Sequence, residues 1–200
     1  MITQLPGFSD PVQDAQITFR SLLNALAHPG ESYPITATII PPTGLNLSCA
    51  AACLTLFDID TLIWLQPGLP PEAEAWLRFH TGCRFTSYPD QAQFAVIWQV
   101  DLLPDLSTFH WGTAEYPEAS TTLLIQVRDQ VGDQAGERVT VQGAGILGER
   151  SIAPALPAQF WTQWQMNTQA YPLGIDVFLC SATEVMGLPR TTNIQSRISR

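Results

Sequence analysis

Residues 140–154, T-V-Q-G-A-G-I-L-G-E-R-S-I-A-P, hold the densest group of residues that could do chemistry. Gly143 and Gly145 let a backbone approach another group closely, and Arg150 stands just past them; together they suit an anionic oxygen ligand. Arg190, in Pro189-Arg190-Thr191-Thr192, offers a second guanidinium for the same ligand. Asp58 and Asp60 form a D-x-D pair that could hold a magnesium ion bridging phosphates, though the same pair also suits a polar turn before a strand. Gly143 to Gly148 spell G-x-G-x-x-G, yet Pro154 and Pro157 follow too soon for a long helix to open at Gly148. The dinucleotide reading therefore fails. No acidic residue lies about 20 positions on to hold a ribose hydroxyl.

The remaining reactive residues read as ordinary packing or loop positions. His28 stands at a helix end, His80 on the apolar side of a helix, and His110 with Glu118 in a long loop where nothing in the spacing brings them together. Cys49, Cys53, Cys83 and Cys180 are too scattered for a disulfide framework. A C-x3-C-x2-C iron–sulfur site fails at its third position, which is Leu56. No nucleophile-plus-base set emerges, so no catalytic residue is assigned.

Every one of the nine basic residues other than histidine is arginine. Without lysine the chain can form no Schiff base with pyridoxal phosphate and supply no Walker-type lysine. A net charge of −9 argues against binding the phosphate backbone of nucleic acid. With 46% apolar and 14% charged residues the chain can build a core, and no apolar run is long enough to span a bilayer. The opening residues show neither a basic nor an apolar leader region, so a soluble cytoplasmic protein is expected.

Several elements must position these groups. Ser9 or Asp10 can cap a helix opening at Pro11, on which Val12, Ala15, Phe19, Leu22, Leu23 and Leu26 form one apolar stripe while Gln13, Arg20 and Asn24 face away. His28-Pro29-Gly30 ends it. Residues 33–40 read as a strand and 47–57 as a buried helix. A strand over 61–65 follows, then a helix from Pro70-Pro71 to Gly82 and a strand over 94–98. Residues 103–120 form a long irregular connection before a strand at 121–127. A turn over 130–137 leads to a strand at 138–142, and 156–166 makes a helix whose Phe160, Trp161 and Trp164 are core or interface anchors. Strands at 175–180 and 184–188 close the pattern, with Asp176 in need of an arginine or hydroxyl partner. The expected fold is a single three-layer α/β/α domain over 1–194 with a mixed, mostly parallel sheet, followed by a disordered polar tail over 195–200.

Taken in order, several stretches resemble the PhnH family, a subunit of the bacterial carbon–phosphorus lyase system. They include Pro11-Val12-Gln13-Asp14-Ala15-Gln16, Leu77-Arg78-Phe79-His80-Thr81, Gly143-Ala144-Gly145-Ile146 with Glu149-Arg150, Pro172-Leu173-Gly174-Ile175-Asp176 and Leu188-Pro189-Arg190-Thr191-Thr192. Nothing in 101–111 or after Ile194 matches. The resemblance implies a fold similar to the large domain of pyridoxal-phosphate-dependent transferases without the cofactor, which the lack of lysine independently suits. It also implies a homodimer joined to the other core subunits, with no nucleic-acid or membrane partner. Their combined task is to transfer the ribose 5-triphosphate part of ATP to an alkylphosphonate with release of adenine, with magnesium as a possible companion of the ATP. The expected role is structural or accessory. The alternative is that Gly143, Gly145, Arg150 and Arg190 supply a phosphonate or triphosphate site, with Asp58 and Asp60 on a metal.

Overall fold

A computed structural model describes residues 5–128 and 136–198. Five strands run parallel: β2 (Leu62–Leu65), β3 (Arg84–Thr86), β4 (Phe94–Ile97), β5 (Thr122–Gln126) and β8 (Asp176–Cys180), with β3 at one edge. β9 (Glu184–Leu188) turns back antiparallel on β8, and β1 (Ser32–Pro34) pairs antiparallel with β9. The sheet order is β1-β9-β8-β5-β4-β2-β3. A mixed, mostly parallel sheet is therefore present.

Because β2, β4, β5 and β8 are covered on both faces, their middles are apolar and their residues alternate between two cores. Ile63, Val96, Leu124 and Phe178 face a core built with α1 (Pro11–Ala27), α2 (Leu47–Leu56) and α3 (Pro71–Thr81). Trp64, Ala95, Ile97, Leu123, Ile125, Val177 and Leu179 face the other. That second layer is only partly helical. It combines α4 (Ala158–Gln169) with a small antiparallel sheet, β10-β6-β7, made of β6 (Arg138–Gln142), β7 (Arg150–Ile152) and β10 (Asn193–Ile198). Phe160, Trp161 and Trp164 of α4 pack there with Val139, Val141 and Ile152.

Local signals fix most boundaries. The Asp10 carboxylate accepts from the Val12 and Gln13 N–H groups and Pro11 opens α1, while α3 ends on Gly82 in the left-handed region. Three expectations change. The strand over 33–40 shrinks to β1, since Pro34 has no N–H; beyond it the Ile35 N–H still reaches the Thr183 carbonyl at 2.8 Å, but no continuous ladder follows, and Ile35, Ala37 and Ile39 alternate inward as extended chain. The tail is ordered as far as Ile198, because β10 pairs with β6 from Asn193 onward. On α1 the buried line is Thr18, Leu22 and Ala25, whereas Val12, Phe19 and Leu23 are exposed. Most of the turn expected over 130–137 lies outside the described residues.

Candidate functional site

The two edges of the parallel sheet carry different groups. Asp58 and Asp60 lie just before β2, Asp176 begins β8, and Arg190 follows β9, which runs antiparallel to β8. Pro29, Gly30 and Glu31 precede β1 on the same side. All six residues singled out from the sequence thus lie toward the amino edge, with Asp58 and Asp60 at β2, three strands along the sheet from β8. Ligands of open α/β sheets bind in the crevice beyond the carboxyl ends of the strands.

Arg190 is held on every side. Its Nε lies 3.2 Å from both Asp176 carboxylate oxygens and Nη2 lies 2.6 Å from Oδ2. Nη1 donates to the Pro117 and Pro172 carbonyls at 2.9 and 3.3 Å, Nη2 also donates to the Ser120 hydroxyl, and the Arg190 N–H reaches Asp176 Oδ1 at 2.7 Å. All five guanidinium donors have partners within the chain, so the arginine acts as a hub joining β8, the turn after β9 and the loop before β5. Asp176 thereby gains the arginine its apolar strand required.

Arg150 reaches back to the end of α1. Nη1 donates to the Pro29 carbonyl at 2.6 Å and Nη2 pairs with Glu31. The Glu31 carboxyl is held below its usual range, first by the Tyr33 hydroxyl that donates to it at 2.8 Å, with Arg150 adding to the effect against its desolvation. Gly145 serves the same junction, and Gly143 packs against the turn after β9. A methyl group on Gly145, at φ +82°, would come within 2.0 Å of the Ala27 carbonyl oxygen; one on Gly143, at φ +151°, would come within 2.6 Å of that of Thr191. The close approach these glycines permit is therefore to the chain's own backbone. Gly148 precedes β7 and opens no helix, in keeping with the rejected dinucleotide fingerprint.

Asp58 forms a turn that caps β2. Its Oδ1 accepts from the Asp60 and Thr61 N–H groups, both at 3.0 Å, and from the Thr61 hydroxyl at 2.9 Å. The Thr61 hydroxyl, followed by the Asp60 N–H, holds this carboxyl below the ordinary aspartate range. Among the described residues no group of three or more His, Cys, Asp or Glu gathers to hold a metal ion. His80 packs against Trp76 and its Nε2 lies 3.0 Å from the Leu5 carbonyl, while His110 Nδ1 lies 3.0 Å from that of Ala119.

The carboxyl edge holds a cavity of about 410 Å³ lined by Trp98, Gln99, Val100, Asp101, Leu102, Gln126, Val127 and Arg128. It opens where β4 and β5 end, next to the place where the strand order reverses between β2 and β4. That reversal point is filled by Gln66, which is 4% exposed. Its Oε1 accepts from the Trp98 and Gln99 N–H groups at 3.1 and 2.9 Å, and its Nε2 donates to the Gln99 and Leu102 carbonyls at 3.1 and 2.8 Å. Gln126 similarly joins Asn46 and Gly44 to the end of β5. An Arg128–Asp101 ion pair of 3.1 Å stands at the rim, and Trp98 Nε1 is buried with no hydrogen-bond partner among the described residues. None of these residues stands out from reactive type alone. The available signal was a lone glutamine closing an apolar run, in Leu62-Ile63-Trp64-Leu65-Gln66 and Leu123-Leu124-Ile125-Gln126.

Residues 6–195 match the family model of the bacterial phosphonate metabolism protein (PhnH). The chain belongs to the PhnH family. A relative in Rhizobium meliloti (strain 1021), named alpha-D-ribose 1-methylphosphonate 5-triphosphate synthase subunit PhnH, is 38% identical over 191 residues, spanning 94% of each chain. A second, named putative C-P lyase subunit protein HtxG, from Stutzerimonas stutzeri, is 29% identical over 180 residues, 90% of this chain and 85% of its own. The PhnH match includes both edges of the sheet, so the amino-edge hub and the carboxyl-edge cavity both lie within the family's extent.

Proposed function

We propose that this chain is an accessory subunit of the complex that transfers the ribose 5-triphosphate part of ATP to an alkylphosphonate with release of adenine. Its place in phosphonate metabolism follows from its family, and the 38% identical relative is named as a subunit of that synthase. The observation that favours an accessory role is the state of the polar groups at the amino edge. Arg190 has no guanidinium donor left for a ligand, and Gly143 and Gly145 are closed against Thr191 and Ala27. We further propose that the protein works in the cytoplasm as a homodimer joined to the other core subunits. The fold is read as akin to the large domain of pyridoxal-phosphate-dependent transferases, with the cofactor lost along with its lysine.

The test combines purified core subunits with and without this chain, then measures co-migration and adenine release from ATP and an alkylphosphonate. Full release without it, or release by this chain alone, overturns the accessory reading. One observation keeps a ligand-binding role open at Arg150: its side chain is partly exposed and, among the described residues, only Nη1 and Nη2 have partners. Arg150→Ala that abolishes adenine release but leaves the complex assembled would favour that role, with magnesium held by ATP or by Asp58 and Asp60. Loss of assembly would mark Arg150 as a structural residue.

A further inference from the structure

The sequence makes α1 more apolar than the fold requires. One line, Thr18, Leu22 and Ala25, is buried against α2 and β9, with Leu26 packed beside it. A second line, Val12, Gln16, Phe19, Leu23 and Ala27, recurs at helical spacing and faces outward. Val12 is 81% exposed, Phe19 49% and Leu23 55%. At the carboxyl end of this line Gly145 rests on the Ala27 carbonyl, and two residues on, Leu147 is 100% exposed at the tip of the β6–β7 turn. Large exposed side chains along a helix face, with a loop that carries another packed at the end of that helix, mark a protein-binding surface.

We infer that the outer face of α1, continued by Leu147, is the docking surface for another subunit of the phosphonate-activating complex, one with an apolar centre and a cationic rim. This rests on the functional reading above. The charges select that occupant over a second copy of this chain. Asp10 and Asp14 stand at one end of the stripe and Glu149 at the other, while Arg20 lies exposed near its middle with no ion pair among the described residues. An antiparallel copy would set acidic end against acidic end and Arg20 against Arg20, in addition to bringing together two chains of net charge −9. A partner with basic residues around an apolar centre and one carboxylate facing Arg20 meets every one of these groups.

The experiment co-expresses the chain with the other core subunits and measures their co-purification. It compares wild type, Phe19→Glu with Leu23→Glu, Leu147→Asp alone, and a control, Tyr88→Asp, which changes an exposed aromatic elsewhere. Expected results are a loss of at least about tenfold for the double variant, a smaller loss for Leu147→Asp, wild-type recovery for the control, and weaker association at high ionic strength. Wild-type recovery of the double variant, or loss with the control, overturns the inference. So does a native-mass result in which the isolated wild type is a dimer and the double variant a monomer, since the face would then belong to a second copy. If the wild type itself fails to co-purify, the functional reading falls, and this inference with it. Leu147→Asp, at a wholly exposed tip, keeps the test valid should the helix variant fold poorly.

Discussion

Replacing Arg190 by alanine would leave the Asp176 carboxylate at the edge of a core strand without its counter-charge. It would also leave the Ser120 hydroxyl and the Pro117 and Pro172 carbonyls without this donor. The arginine and aspartate side chains are 12% and 24% exposed, so the pair is shielded but not dry. Removing one partner of a fully buried pair costs about 3–5 kcal/mol; residual access to water brings the expectation here to about 3 kcal/mol. For a domain of this size that corresponds to a fall of roughly 6–12 °C in Tm. Arg190→Lys should recover only part of the loss, because a single ammonium cannot reproduce the planar fork. Thermal and denaturant unfolding of Arg190→Ala, Asp176→Ala and the double variant would measure the coupling, expected to exceed about 1 kcal/mol. Additive effects, or a wild-type Tm joined to lost adenine release, would refute the structural hub and make Arg190 a ligand contact.

Three further outcomes follow from the same geometry. Gly145→Ala adds a clash with the Ala27 carbonyl to a φ of +82°, whereas Gly148→Ala, at φ +73°, meets nothing within 4 Å; the first should cost about 2–4 kcal/mol and the second about 1 kcal/mol, and equal losses in denaturant titrations would count against the packing argument. Thr61→Val removes the hydroxyl that does most to hold the Asp58 carboxyl low, so its NMR titration midpoint should move up toward the ordinary value of about 3.9; no movement would exclude this cause. Since the folded-state pKa is depressed, the stabilisation is fully present above the unfolded pKa of about 3.9 and is lost as pH falls through the lower folded one, so the stability gap between wild type and variant should begin to narrow only as pH falls below about 3.9. Gln66→Ala strips partners from the Trp98 and Gln99 N–H groups and from the Gln99 and Leu102 carbonyls, for an expected loss of about 2–4 kcal/mol in chemical unfolding and a changed Trp emission; a loss under about 0.5 kcal/mol would show that water replaces it.

Elements with strong local signals were legible one by one. The strands 138–142 and 184–188 appear with the boundaries read from their β-branched and apolar runs, and Pro11 and Gly82 bound helices as their backbone preferences require. The failures share a different cause. The alternation in Ile35, Ala37 and Ile39 records burial of one side but carries no information on whether a ladder partner exists. Polar Gln195 and Ser196 gave no hint that β6 would offer an edge to pair with. Nor does helical spacing on α1 say which part of a wide apolar arc the rest of the chain covers.

Composition alone determined that a lysine-dependent chemistry is impossible, since no arrangement in space can supply an amine the chain does not encode. Ordered short stretches identified the family, because each records a local backbone or packing need that survives without knowledge of the whole. Only the tertiary structure decided what the arginines, glycines and aspartates do. A guanidinium suits a phosphate or an internal carboxylate equally well, and the choice depends on which groups the folded chain brings within about 3 Å of it. Here β8, the turn after β9 and the loop before β5 converge on Arg190, and the end of α1 converges on Arg150. Those partners lie up to 121 residues away along the chain, a separation that no local pattern encodes.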